Sequence, residues 1–138
     1  MRNIIVLLIA LLCFTSVSIY AKQTSLPIYT EQNTNITVLS AHPQFQIKLI
    51  SNATTGYSWF LQDYNSSLLQ AVRHIYQAPQ NRKIMGAPGY EVWTFKVKPA
   101  GFIVPQQTTL RFIYMRPWEK DNAATPLVFT VTMLQGKP

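Results

Sequence analysis

In Phe45-Gln46-Ile47-Lys48-Leu49 apolar and polar side chains alternate one for one. A backbone of period two turns that pattern into one face against a core and one face in water, so the segment reads as a half-buried β-strand. The same period returns along the chain. Tyr57, Trp59 and Leu61 show it, as do Trp93, Phe95 and Val97 with Thr94, Lys96 and Lys98 on the other face, and Leu110, Phe112 and Tyr114 with Arg111 opposite. Leu127, Phe129, Val131 and Met133 alternate with Val128, Thr130 and Thr132 in a last strand that is apolar or β-branched on both faces, and residues Asn35 to Leu39 supply an early one. Many short strands without intervening helices predict an all-β chain folded as an antiparallel sandwich.

One segment interrupts the alternation. Leu68, Leu69, Val72, Ile75 and Tyr76 recur at spacings of three and four behind Ser66, a residue suited to cap a helix. Taken alone the segment reads as helix; its all-β surroundings tip it toward strand, because tertiary pairing commonly overrides weak local preference. A polar, basic loop follows from Pro79 to Met85, and Pro99-Ala100-Gly101 and Pro105 mark a further connection too long for a two-residue hairpin.

The first residues carry a different signal. Met1-Arg2-Asn3 supplies a positive charge ahead of the unbroken apolar run from Ile4 to Phe14, as in a secretory signal peptide. Cleavage is expected after Ala21, with Ser16-Val17-Ser18 as a second candidate position, leaving one domain over residues 22–138 that is exported and either periplasmic or secreted. Cys13, the single cysteine, falls within the leader, and the bulky Leu12 before it argues against a lipoprotein site. The mature domain then has no disulfide and depends on packing, which a chain of this size can supply. Loss of Arg2 leaves eleven basic and five acidic side chains, a net charge of +6. Lys48, Arg73, Lys96, Lys98 and Arg111 are dispersed, and no basic run exceeds Arg82-Lys83, so a solvated surface is favoured over a nucleic-acid site. The apolar leader is too short for a bilayer and no later segment approaches the required length, so no stable membrane insertion is expected after cleavage. A monomer is expected.

Three turn-rich segments sit between the strands: Asn52-Ala53-Thr54-Thr55-Gly56, Gly86-Ala87-Pro88-Gly89 and Arg116-Pro117-Trp118. Any tight turn selects Gly, Pro and Asn, so each segment alone says little. Their order and their settings say more. Asn52-Ala53-Thr54-Thr55-Gly56-Tyr57-Ser58-Trp59 resembles the Asn-Pro-Thr-Thr-Gly-Tyr-x-Trp pattern of the chagasin family of inhibitors of papain-like cysteine peptidases, Gly86-Ala87-Pro88-Gly89 matches its Gly-x-Pro-Gly segment, and Tyr114-Met115-Arg116-Pro117-Trp118 matches its Tyr-x-Arg-Pro-Trp signature in full.

The resemblance implies an immunoglobulin-like antiparallel β-sandwich whose three loops enter a peptidase cleft together and inhibit it reversibly. It implies that Asn52, Ala53, Thr54, Thr55 and Gly56 lie over the catalytic cysteine and histidine, with Thr54 and Thr55 nearest the chemistry. Gly86, Ala87, Pro88 and Gly89 then run along the unprimed side, and Arg116, Pro117 and Trp118 place an aromatic ring on the primed side. Two departures stand out: Ala53 replaces the usual proline and gives up its fixed φ, and the connection from Gly101 to Thr109 is longer than the family's.

The residues support a binding role on their own terms. Glycines let main chain approach closely, while Pro88 and Pro117 reduce the entropy lost on docking. Trp118 is the natural anchor, and Trp59, in register with Tyr57 and Leu61, is expected in the core. Arg116 and Lys120 are offset by Glu119 and Asp121, so salt should affect association only modestly. An enzyme is not expected. The mature chain has no thiol, no Gly-x-Ser-x-Gly elbow and no evident carboxylate pair, and His42 and His74 have no acidic neighbour in sequence. Those histidines form no recognised metal spacing, and no cofactor is implied. Asn35, Asn52 and Asn65 open glycosylation sequons, and a glycan on Asn52 would obstruct the first segment. The competing reading is an immunoglobulin-like adhesion module that binds carbohydrate or protein through the same loops.

Overall fold

A computed structural model describes residues 25–119 and 124–136. The expected leader and its expected cleavage position, Cys13, Lys120 and Asp121 lie outside the described residues. Among the described residues eight strands run in chain order: β1 (Ile28–Tyr29), β2 (Asn35–Leu39), β3 (Gln44–Ser51), β4 (Ser58–Tyr64), β5 (Leu69–Gln77), β6 (Gly89–Val97), β7 (Gln106–Met115) and β8 (Leu127–Leu134). They form two four-stranded sheets, ordered β1-β3-β6-β5 and β2-β8-β7-β4. The expected sandwich is present. Its pairings are antiparallel except two: the short N-terminal strands β1 and β2 lie parallel to β3 and β8 at opposite sheets.

The alternation seen in sequence builds the core directly. Phe45, Ile47 and Leu49 of β3, Phe95 and Val97 of β6, Leu110 and Phe112 of β7, and Phe129, Val131 and Met133 of β8 are fully enclosed between the sheets. Phe45 pairs with Phe95 across the ladder and their rings stack at 5.6 Å; Phe95 then meets Phe112 edge-on at 6.2 Å, and Phe112 meets Phe129 at 5.9 Å. Burial of each such side chain contributes about 1.5–3 kcal/mol, and this ladder joins both sheets without a disulfide.

The segment behind Ser66 is strand β5, and its local helical reading is corrected by a β-bulge. Pairing with β6 shifts register between Ala71 and Arg73, so Leu69 and Ala71 face one side, and after one extra residue His74 and Tyr76 face that same side. The inserted residue breaks period two and leaves spacings that mimic a helix. Asn65, rather than Ser66, organises the preceding turn: its side-chain oxygen accepts from Ser67 N at 3.0 Å and its carbonyl accepts from Leu68 N and Leu69 N. The expected long connection is present but lies earlier than Gly101 to Thr109, over Lys98–Pro105, because residues from Gln106 onward already pair with β8. A 3₁₀ turn at Pro99–Phe102 opens it, at the end of β6 remote from Gly89.

Candidate functional site

Strand register alone gathers the three turn-rich segments. Ser51, the last residue of β3, is paired with Gly89, the first of β6; Gln77 at the end of β5 is paired with Tyr90; Ser58 at the start of β4 is paired with Met115 at the end of β7. The connections beginning at Asn52, Ala78 and Arg116 therefore leave from one pole of the sandwich.

The first loop is held from within. Asn52 is extended, at φ −109° and ψ 96°, and caps a 3₁₀ turn over Ala53–Thr55. Its Oδ1 accepts from Thr54 N at 3.1 Å and from Thr54 Oγ1 at 2.6 Å, while Thr55 Oγ1 donates to Asn52 O at 2.7 Å. Gly56 ends the turn at φ +76°, in the left-handed region. That backbone angle favours glycine, and a Cβ there would stand 2.8 Å from Cη2 of Trp118 and push the exposed ring aside.

The loop is also tied to its neighbours. Asn52 Nδ2 donates to Gly86 O at 3.2 Å, Asn52 N donates to Tyr114 Oη at 3.0 Å, and Arg116 Nε donates to Thr55 O at 3.0 Å. Arg116 lies 4.7 Å over the ring of Tyr57 and pairs with Glu119 at 2.8 Å; that hydrogen bond holds its guanidinium above the ordinary value. Beneath these contacts Tyr57, Tyr114 and Trp59 pack ring on ring, at 5.2 and 4.9 Å. Trp59 is half-buried, packs on the core and donates from Nε1 to Ile50 O at 2.8 Å, so it joins core to loop. Trp118 keeps 70% of its surface exposed.

The second segment is split by the structure. Gly86 turns at φ +78° in open space, and Ala87 N donates to Ile84 O at 3.3 Å. Gly89 is buried inside β6, where a Cβ would collide with Gln77 O and Tyr76 Oη. Gly86, Ala87 and Pro88 thus offer surface, whereas Gly89 permits the strand packing below them. A cleft of about 430 Å³ separates the first and second loops, lined by Asn52, Thr54, Tyr76, Arg82, Ile84 and Met85 among others.

Sequence reading missed Glu91. Its side chain is buried below the loops, with Oε1 accepting from Ser51 Oγ at 2.7 Å and Trp59 N at 3.0 Å and Oε2 meeting His74 Nε2 at 2.8 Å. The parity of β6 carried the signal, since Glu91 shares the inward face of Trp93, Phe95 and Val97. His74 also stacks on Trp93 at 3.8 Å. Among the described residues no group of three or more His, Cys, Asp or Glu side chains could hold a metal ion.

A two-sheet β-sandwich carrying these three linked loops defines a class. Residues 38–133 match the family model described as chagasin family peptidase inhibitor I42, and the chain belongs to the chagasin family. Chagasin of Trypanosoma cruzi is 32% identical over 78 residues, which cover 53% of this chain and 64% of chagasin, just under two thirds of its length. The fold is shared with the cysteine protease inhibitor EhICP2 of Entamoeba histolytica, at a TM-score of 0.63 and 23% identity over 78% of this chain and 95% of that one. Amebosin follows at a TM-score of 0.56 and 24% identity, over 81% of this chain and 99% of its own. PbICP-C, in complex with falcipain-2, gives a TM-score of 0.52 and 18% identity over 80% and 91%.

Proposed function

We propose that this protein is a reversible, tight-binding inhibitor of papain-like cysteine peptidases that occludes the active-site cleft with Asn52–Gly56, Gly86–Pro88 and Arg116–Trp118. The observation that carries the reading is the cross-linking of the three segments at one pole: Asn52 to Gly86, and Arg116 to Thr55. A cleft-filling inhibitor gains affinity when its binding surface is rigid before contact, because little entropy remains to be lost. The capped 3₁₀ turn presents Thr54 and Thr55 on a closed backbone rather than an extended one. An extended strand would suit attack by a peptidase thiolate; a closed turn resists it.

In this arrangement Thr54 and Thr55 face the catalytic pair, Gly86 to Pro88 cover the unprimed side and Trp118 anchors the primed side. The family membership and the complex of PbICP-C with falcipain-2 support the inhibitory reading. The protein acts as a monomer after export, in the periplasm or outside the cell. Titration of papain with the purified protein tests the reading, with a serine peptidase as control. Loss of papain turnover at near-stoichiometric amounts is expected; unchanged turnover in excess protein would favour an adhesion module instead.

A further inference from the structure

We propose that Glu91 is a positioning residue for the first loop, its buried carboxylate fixing the separation of the loop's two stems and thereby the affinity of the site. The consequence for affinity rests on the inhibitory reading above; the geometry does not.

Only 3% of Glu91 is exposed. A carboxylate in such surroundings is strongly unfavourable unless its oxygens are engaged, and an apolar side chain would fill the space without that cost. Here each oxygen is engaged. Oε1 receives Ser51 Oγ and Trp59 N, and Oε2 is held by His74, whose ring is fixed in turn against Trp93.

The placement of the two Oε1 donors matters. Ser51 ends β3 and Trp59 is the second residue of β4, so residues 52–58 hang between them. Those strands belong to different sheets, and no ladder joins them. One carboxylate oxygen bridges the gap from β6, and the bond from Trp59 Nε1 to Ile50 O closes the bracket beside it. The amide of Asn52, immediately above, is oriented on Tyr114 Oη. Removal of the Glu91 side chain takes away the tie from Ser51 Oγ and Trp59 N at once and leaves the bond from Trp59 Nε1 to Ile50 O as the remaining bracket.

Three variants and two readouts test this. Glu91→Gln preserves shape and all three contacts, with its amide oxygen toward Ser51 and Trp59 and its NH₂ toward a His74 nitrogen. Glu91→Ala removes every contact, and Ser51→Ala removes one. Amide hydrogen exchange of Thr54, Thr55, Gly56 and Trp59 in the free protein reports the loop, and the inhibition constant for papain reports the site. We expect Glu91→Ala to speed exchange and raise the inhibition constant by about tenfold each, Ser51→Ala to do so by about threefold, and Glu91→Gln to stay near the parent protein. Should Glu91→Ala not fold, Ser51→Ala and Glu91→Gln carry the test. Unchanged loop exchange in the folded variants, with only a lower Tm, overturns the proposal and leaves Glu91 a purely structural residue. Failure of the parent protein to inhibit papain overturns the inhibitory reading, while the exchange data still decide the geometry.

Discussion

Trp118 and Trp59 stand on either side of the division between surface and scaffold. Trp118 is largely exposed in the third segment, and its ring lies beside Gly56 of the first loop. Aromatic anchors at interface centres commonly contribute about 2 kcal/mol or more. Trp118→Ala should therefore raise the inhibition constant for papain at least about tenfold, or about 1.4 kcal/mol, with thermal unfolding unchanged. Equal potency would remove Trp118 from the site. Trp59→Ala should act in the opposite order: the ring packs on the core and on Tyr114, and its loss should cost roughly 3 kcal/mol in denaturant unfolding before affinity is considered. The exposure of Trp118 and the inward register of Trp59 were legible because turn residues and period-two neighbours separate a loop tip from a strand, although Trp59 lies half-buried at the edge of the core rather than within it. For Glu91 the parity of β6 signalled burial, but one acidic residue in a strand does not show that Ser51, Trp59 and His74, distant in sequence, will converge on it.

At the scale of elements, the first loop shows how a missing proline is offset. Ala53 occupies the first position of the 3₁₀ turn, where an N–H has no partner within the turn and proline fits. Asn52 before it is already extended, the conformation that proline imposes on its predecessor. Ala53→Pro should thus be accommodated, stabilising the fold by about 0.4–1 kcal/mol in thermal unfolding and slowing dissociation from papain. A fall in stability would mean that the turn needs the freedom of alanine. The strands β3 and β8 could be read from sequence almost to their ends, whereas the first four residues of β6, Gly89 to Val92, were not read as strand and Gly89 was assigned to the second loop. In β5 one extra residue at the bulge displaced every later side chain from its expected parity, and the pattern became that of a helix. The start of β7 was hidden for another reason: Gln106 to Thr109 are polar, and only their pairing with β8 makes them strand.

The whole molecule is a two-sheet frame that collects three chain-distant segments at one end and leaves the long Lys98–Pro105 connection at the other. Register places the segments together, and hydrogen bonds from Asn52 and Arg116 then join them. The Arg116 charge is neutralised locally by Glu119. Raising ionic strength from about 0.05 to 0.5 M should consequently slow association with papain by less than about tenfold, as read by stopped-flow kinetics; a steeper dependence would indicate steering by charges outside the ridge. The central claim is that the assembled ridge plugs a thiol peptidase, and active-site titration of papain examines it most directly. The account predicts a linear loss of activity reaching zero near one inhibitor per active site, with a serine peptidase unaffected. Full papain activity in the presence of a large excess of folded protein would contradict it.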